Sequence, residues 1–102
     1  MIVYNVTVKV NNDTAEQWEA WMRQEHIPQI LSLNLFNHAT LSRLLEQDEA
    51  DGITYIAQYH CNTLNQYNQY INEHAPKMRA EGVAKFPNRF TAFRTVMEVI
   101  YP

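Results

Sequence analysis

At 102 residues the chain has the size of one domain with a core of its own. Its 46% of hydrophobic residues, with two Trp, six Tyr and four Phe, exclude a disordered segment. A net charge of −3 with no cluster of Lys and Arg argues against nucleic acid, no apolar run is long enough to span a membrane, and a single cysteine rules out an internal disulfide.

From Ile2 to Val10 the apolar residues Ile2, Tyr4, Val6, Val8 and Val10 alternate with Val3, Asn5, Thr7 and Lys9, the period of a half-buried strand. Asn11 to Thr14 turn the chain, and either Asp13 with Glu16 or Thr14 with Gln17 can form a capping box at the start of a helix. That helix carries Trp18, Trp21, Met22, Ile30 and Leu31 at helical spacing, and Pro28 removes an N–H, which predicts a kink near His26. A second strand is expected from about Phe36 to Glu46, an acidic turn through Asp48, Glu49, Asp51 and Gly52, and a third strand from Ile53 to Cys61.

Thr63 with Gln66 makes another capping box, opening a helix whose face runs through Leu64, Tyr67, Ile71, His74 and Met78 until Pro76 interrupts it. Pro87 and Asn88 turn the chain into a fourth strand, rich in β-branched and aromatic residues, from about Phe90 to Tyr101. The order is βαββαβ, and the halves echo each other: Glu25, His26, Ile27, Pro28 correspond to Glu73, His74, Ala75, Pro76. Split βαβ units of this kind give an α+β domain over residues 1–102, with both helices on one face of a four-stranded antiparallel sheet and the first and third strands central.

Alternation assigns Val3, Asn5, Thr7 and Lys9, with Thr54, Ile56, Gln58 and His60, to the uncovered face. The second strand adds His38, Thr40, Ser42 and Leu44, and Arg94 on the fourth strand, whose facing is ambiguous, could join them. Such a mixed surface suits a partner sheet that encloses a cavity.

Four stretches together, IVYNVTVKV from Ile2, WEAWMRQEHIPQIL from Trp18, TYIAQY from Thr54 and FTAFRTVMEV from Phe90, resemble a bacterial family known only as a domain of unknown function (DUF 4286). That resemblance covers nearly the whole chain. It implies a ferredoxin-like fold and brings no activity, substrate or catalytic residue. The His-x-Pro of His26 to Pro28, near a helix end, is similar to the dimeric α/β-barrel superfamily, which includes EthD-like proteins and small cofactor-independent monooxygenases. This second resemblance implies a homodimer with sheets packed face to face, and ligand pockets between each sheet and its helices or within the barrel.

Several residues are candidates for function. His26 and His74, each just before a helix-interrupting proline, can meet free carbonyls and the negative end of a helix dipole as imidazolium ions, or one can serve as general acid or base beside a pocket. His38 and His60 should share one side of the hairpin, with Thr40, Gln58, Asn5 and Arg94 around them. Either these residues line a ligand pocket, with Arg94 fixing an anionic group and His38 or His60 moving a proton, or they satisfy one another across a dimer interface. Trp18, Trp21, Tyr67 and Tyr70 read as core, with stacking on an aromatic ligand as the alternative.

The chain offers no Cys-x-x-Cys, no His-x-x-x-His and no paired acidic run on an expected helix or strand, so neither a metal nor another cofactor is expected. RNA-recognition domains share the βαββαβ order, but here Tyr55 alternates onto the helix-covered face and the charge is wrong for RNA. With no secretory-type leader and a lone Cys61, a reducing cytoplasm is the expected location. Two functions fit: small-molecule binding or cofactor-independent catalysis in a dimeric barrel, and alternatively a non-catalytic homodimeric interaction or regulatory module.

Overall fold

The computed structural model describes residues 1–102. Strand β1 (Ile2–Val10) forms as its alternation requires, with Ile2, Tyr4, Val8 and Val10 buried on one side. It pairs antiparallel with β3 (Ile53–Cys61) and with β4 (Phe90–Glu98), and β3 pairs antiparallel with β2 (His38–Arg43). The sheet order is therefore β2-β3-β1-β4, with the first and third strands central as the split βαβ reading expects. The architecture is α+β and ferredoxin-like, and no helix is long and apolar enough to cross a membrane.

Two helical arms cover one face of the sheet. The first contains α1 (Ala15–Trp21), a wide π-helical turn (Met22–His26) and α2 (Ile27–Leu31). Pro28 does not break this arm. It sits in the first turn of α2, where its missing N–H has no helical duty, and Ile27 N–H reaches back five residues to the Met22 carbonyl. The second arm contains α3 (Leu64–Glu73) and α4 (Ala75–Lys85), and here the axis does break, at His74 with φ −126° and ψ −35°.

The Thr63 capping box forms: Thr63 Oγ1 accepts from Gln66 N–H (3.2 Å), and Gln66 Oε1 accepts from Thr63 N–H (3.1 Å). Neither box expected at the first helix does. Thr14 is the N-cap, but its backbone lies at φ −119°, ψ −17° rather than extended, and its hydroxyl donates to Asp13 Oδ1 (2.9 Å).

Strand limits differ from expectation at both sheet edges. Phe36 leaves the line of β2 to enter the core, where its ring lies 6.2 Å from that of Tyr4 and 5.5 Å from that of Tyr59. At the other end Glu46 adopts φ 59°, a conformation incompatible with a strand. β4 stops at Glu98, leaving Ile100 and Tyr101 about as exposed as side chains get (89% and 90%). Gly52 is required where it stands, because a Cβ there would lie 2.6 Å from the Val10 carbonyl oxygen.

The core lies between arms and sheet. Tyr4 is ringed by Tyr59, Tyr67 and Tyr70 at 5.9, 5.4 and 5.8 Å, and Trp18 lies 4.9 Å from Tyr55, whose hydroxyl donates to Glu19 (3.1 Å). Each such ring contributes roughly 1.5–3 kcal/mol through burial, so the aromatic count of the sequence is spent mainly here.

Candidate functional site

Strand register decides which candidates meet. In β2 and β3, His38 stands opposite His60, with ring centroids 5.2 Å apart, and Thr40 stands opposite Gln58. Gln58 is also opposite Asn5, to whose Oδ1 it donates (3.1 Å), and Asn5 Nδ2 donates to Thr7 Oγ1 (3.3 Å). His38, His60, Thr40, Gln58 and Asn5 thus share one polar strip on the open side, with side-chain hydrogen bonds only along Gln58, Asn5 and Thr7. Phe93 and Met97 flank it, opposite Thr7 and Val3, and are 63% and 41% exposed.

Arg94 does not belong to this strip. Its partner on β1 is Val6, so it points to the helix-covered side with Ala92, opposite Val8. The expectation that it joins His38 and His60 is corrected by parity: β1 and β4 pair even residues with even, and the even residues of β1 face the helices.

On that covered side the two arms and the sheet leave a partly open cavity of about 60 Å³. Its floor is Tyr4, Val6 and Val8 of β1, Tyr59 of β3, and Ala92 and Arg94 of β4. The first arm contributes Trp18, Trp21, Met22, His26 and Ile30, and the second Tyr70, Met78, Arg79 and Gly82. The π turn explains how Trp18, Met22, His26 and Ile30 all reach one cavity. Steps of four residues overshoot each α-helical turn by about 40°, and one wider turn cancels the accumulated drift.

His26 is the chemically unusual residue. Its ring stacks on Trp21 (centroids 4.4 Å apart, planes at 26°), and its Nδ1 is buried with no hydrogen-bond partner. Burial, and secondarily the Arg94 cation, lowers its pKa to about 4, so the ring is neutral at pH 7. The imidazolium-cap reading therefore fails for His26. His74 stands apart from the cavity, at the junction of α3 and α4, with its ring against Tyr70 (6.4 Å).

Three phenols meet in the cavity floor and wall. Arg79 donates to the Tyr4 hydroxyl (3.2 Å). Burial first, and then the neighbouring phenols, pushes Tyr59 and Tyr70 far above the ordinary tyrosine range, which keeps both as protonated donors. The cavity therefore offers guanidinium and phenol donors, a neutral imidazole and an apolar aromatic wall, with no carboxylate among its lining residues.

Sequence reasoning missed Arg79, Gly82, Tyr59 and the convergence of His26 with Arg94. One signal was readable: Arg79 has no acidic residue three or four positions away, whereas Arg23 has Glu19 at i−4.

Residues 1–100 match the family described as Domain of unknown function (DUF4286). The chain belongs to that family. No curated protein matches its sequence. Among solved structures, this DUF4286 chain is similar to a dimeric ferredoxin-like protein from an uncultured marine organism, at 8% identity and a TM-score of 0.74 over 99% of this chain and 96% of that one. It is similar to a variant of SnoaB, a cofactor-independent oxygenase from Streptomyces nogalater, at 13% identity and a TM-score of 0.69 over 99% and 95% of the two chains. An EthD family protein from Bacillus halodurans aligns at 13% identity and a TM-score of 0.65 over 98% of this chain and 100% of that one. At such identities the shared property is the fold.

Proposed function

We propose that this DUF4286 chain binds a small organic molecule in the cavity between sheet and helices, with His26 as the group that exchanges a hydrogen bond or a proton with it. The buried, unpartnered Nδ1 of His26 carries this reading. Leaving such an atom unsatisfied costs about 1–3 kcal/mol, a penalty that a ligand or a ligand-ordered water relieves. A neutral imidazole needs no deprotonation before accepting a proton, but a pKa of about 4 makes it a weak base until a bound ligand raises that value. The reading requires no metal or other cofactor, and the cofactor-independent oxygenase among the similar folds supports it by analogy.

The open face has a different role in this proposal. Two copies pack sheet to sheet in a dimeric α/β barrel, burying Phe93 and Met97 around the strip of His38, His60, Thr40, Gln58 and Asn5. The dimeric ferredoxin-like protein among the similar folds supports this arrangement, and the lone, buried Cys61 suits a reducing cytoplasm. A non-catalytic homodimeric interaction or regulatory module is the second reading, favoured by the same exposed Phe93 and Met97.

Native mass spectrometry of protein purified gently from its own cells separates the two. A dimer carrying a reproducible small-molecule increment that disappears in His26→Leu is the expected result. A bare dimer, identical in wild type and variant, would favour the interaction module. Phe93→Asp should convert the dimer to monomer in light scattering, and an undisturbed dimer would remove the open face from the interface.

A further inference from the structure

We infer that the ligand is an organic carboxylate of modest size, its acid group clamped by Arg79 and Arg94 and its apolar body seated beside Gly82. This rests on the reading of the cavity as a ligand site.

The chain has five arginines. Three are paired on the surface: Arg23 with Glu19 (3.9 Å), Arg89 with Asp13 (3.3 Å) and Arg43 with Glu49. The two without a carboxylate partner, Arg79 and Arg94, are the two that line the cavity. A shortage of acids does not explain this, since the chain carries 11 Asp and Glu and a net charge of −3. Arg79 is held over β1 by its bond to the Tyr4 hydroxyl, and Arg94 lies on the neighbouring strand opposite Val6, the next residue along that face of β1. Two guanidiniums, one from the second arm and one from the sheet floor, in a cavity also lined by protonated phenols, form a donor set for a carboxylate.

Size and lining narrow the class. The space of about 60 Å³ in this partly open cavity is well under the roughly 150 Å³ of a cavity that swallows benzene whole, so the acid group and its first carbons enter and the rest stays in the mouth. Gly82 leaves that mouth open, because the position of its missing Cβ is 3.5 Å from the Trp21 ring and 3.8 Å from the Phe90 ring. Those two rings and Met78 make an apolar wall that suits a hydrocarbon body and disfavours a fully hydrated inorganic anion.

Benzoate and its neutral isostere benzamide test the inference, read by the fluorescence of Trp18 and Trp21, the only tryptophans, both of which line the cavity. Benzoate should give a saturable change and benzamide should bind about a hundredfold more weakly, because a neutral amide gives up the charge assistance of both guanidiniums. Arg79→Gln and Arg94→Gln, both exposed and so compatible with an unchanged melting curve, should each cut benzoate affinity about tenfold and leave benzamide alone. Equal binding of the two probes, or indifference to both substitutions, overturns the anion assignment while leaving the cavity a ligand site. No saturable change with either probe at millimolar concentration overturns the inference as well. The small-molecule increment in native mass spectrometry then judges the cavity independently.

Discussion

The two sides of β1 differ sharply although the residues alternate along a single strand. Tyr4, Val8 and Val10, under the helices, are at most 4% exposed and Val6 beside the cavity is half-buried, whereas on the open side Asn5 and Thr7 are half-buried, Lys9 is exposed and Val3 alone is buried. On the covered side Arg79 and Arg94 reach solvent at the cavity mouth, whereas His26 Nδ1 is buried without a hydrogen-bond partner, and such an atom is expensive to leave unpaired. On the open side Asn5, Thr7 and Gln58 satisfy one another, and water or a second copy can complete the set at little cost. Chemistry that depends on desolvation belongs to the first side and association to the second.

The largest expected contrast is in stability. Trp18→Ala removes a ring that is 2% exposed and should cost about 3–5 kcal/mol in urea unfolding. Phe93→Ala, on the open side, should change the stability of the dissociated protomer by less than about 0.5 kcal/mol. Similar losses from both variants would erase the distinction between the faces.

A smaller effect tests the covered side alone. With a pKa of about 4 folded and 6.5 unfolded, the contribution of His26 to the pH dependence fades out about one unit above pH 6.5. As the pH falls from 6.5 to 4 the unfolded chain takes up a proton that the folded chain refuses. Stability should therefore drop across that window by about 1.4 kcal/mol per unit, to a total of about 3 kcal/mol. His26→Leu should flatten this component, seen as a smaller loss of urea midpoint between pH 7 and pH 4.5 than wild type shows. Parallel curves for the two proteins would mean that His26 is solvated when folded.

Legibility in the sequence followed the same division. β1 and β3 are central strands with one buried face, so their period of two marked their extents and put His38, His60, Gln58 and Asn5 on one face, while the strand register set His38 opposite His60 and Gln58 opposite Asn5. β4 is an edge strand with apolar residues on both faces: Phe90 and Ala92 turn inward, Phe93 and Met97 outward. Its pattern therefore left Arg94 unassigned until the pairing with β1 settled the matter. The cavity was harder still, because His26, Arg79 and Gly82 come from two arms. A π turn, which no helical period predicts, aims His26 at the space they share.

Gly82 offers the finest test of whether that space is a site or a packing remnant. In the interior of α4 a glycine is about 1 kcal/mol less favourable than alanine, and here a Cβ would meet only ordinary contacts at 3.5–3.9 Å. Gly82→Ala should therefore stabilise the fold by up to about 1 kcal/mol, raising Tm by roughly 5 °C. The same methyl group narrows the gap between Trp21 and Phe90, so benzoate affinity should fall as Tm rises. Opposite movement of the two quantities would identify Gly82 as a residue that trades helix stability for an open mouth. A lower Tm would instead show that the arms have no slack there, and a higher Tm with unchanged binding would move the ligand away from Trp21 and Phe90.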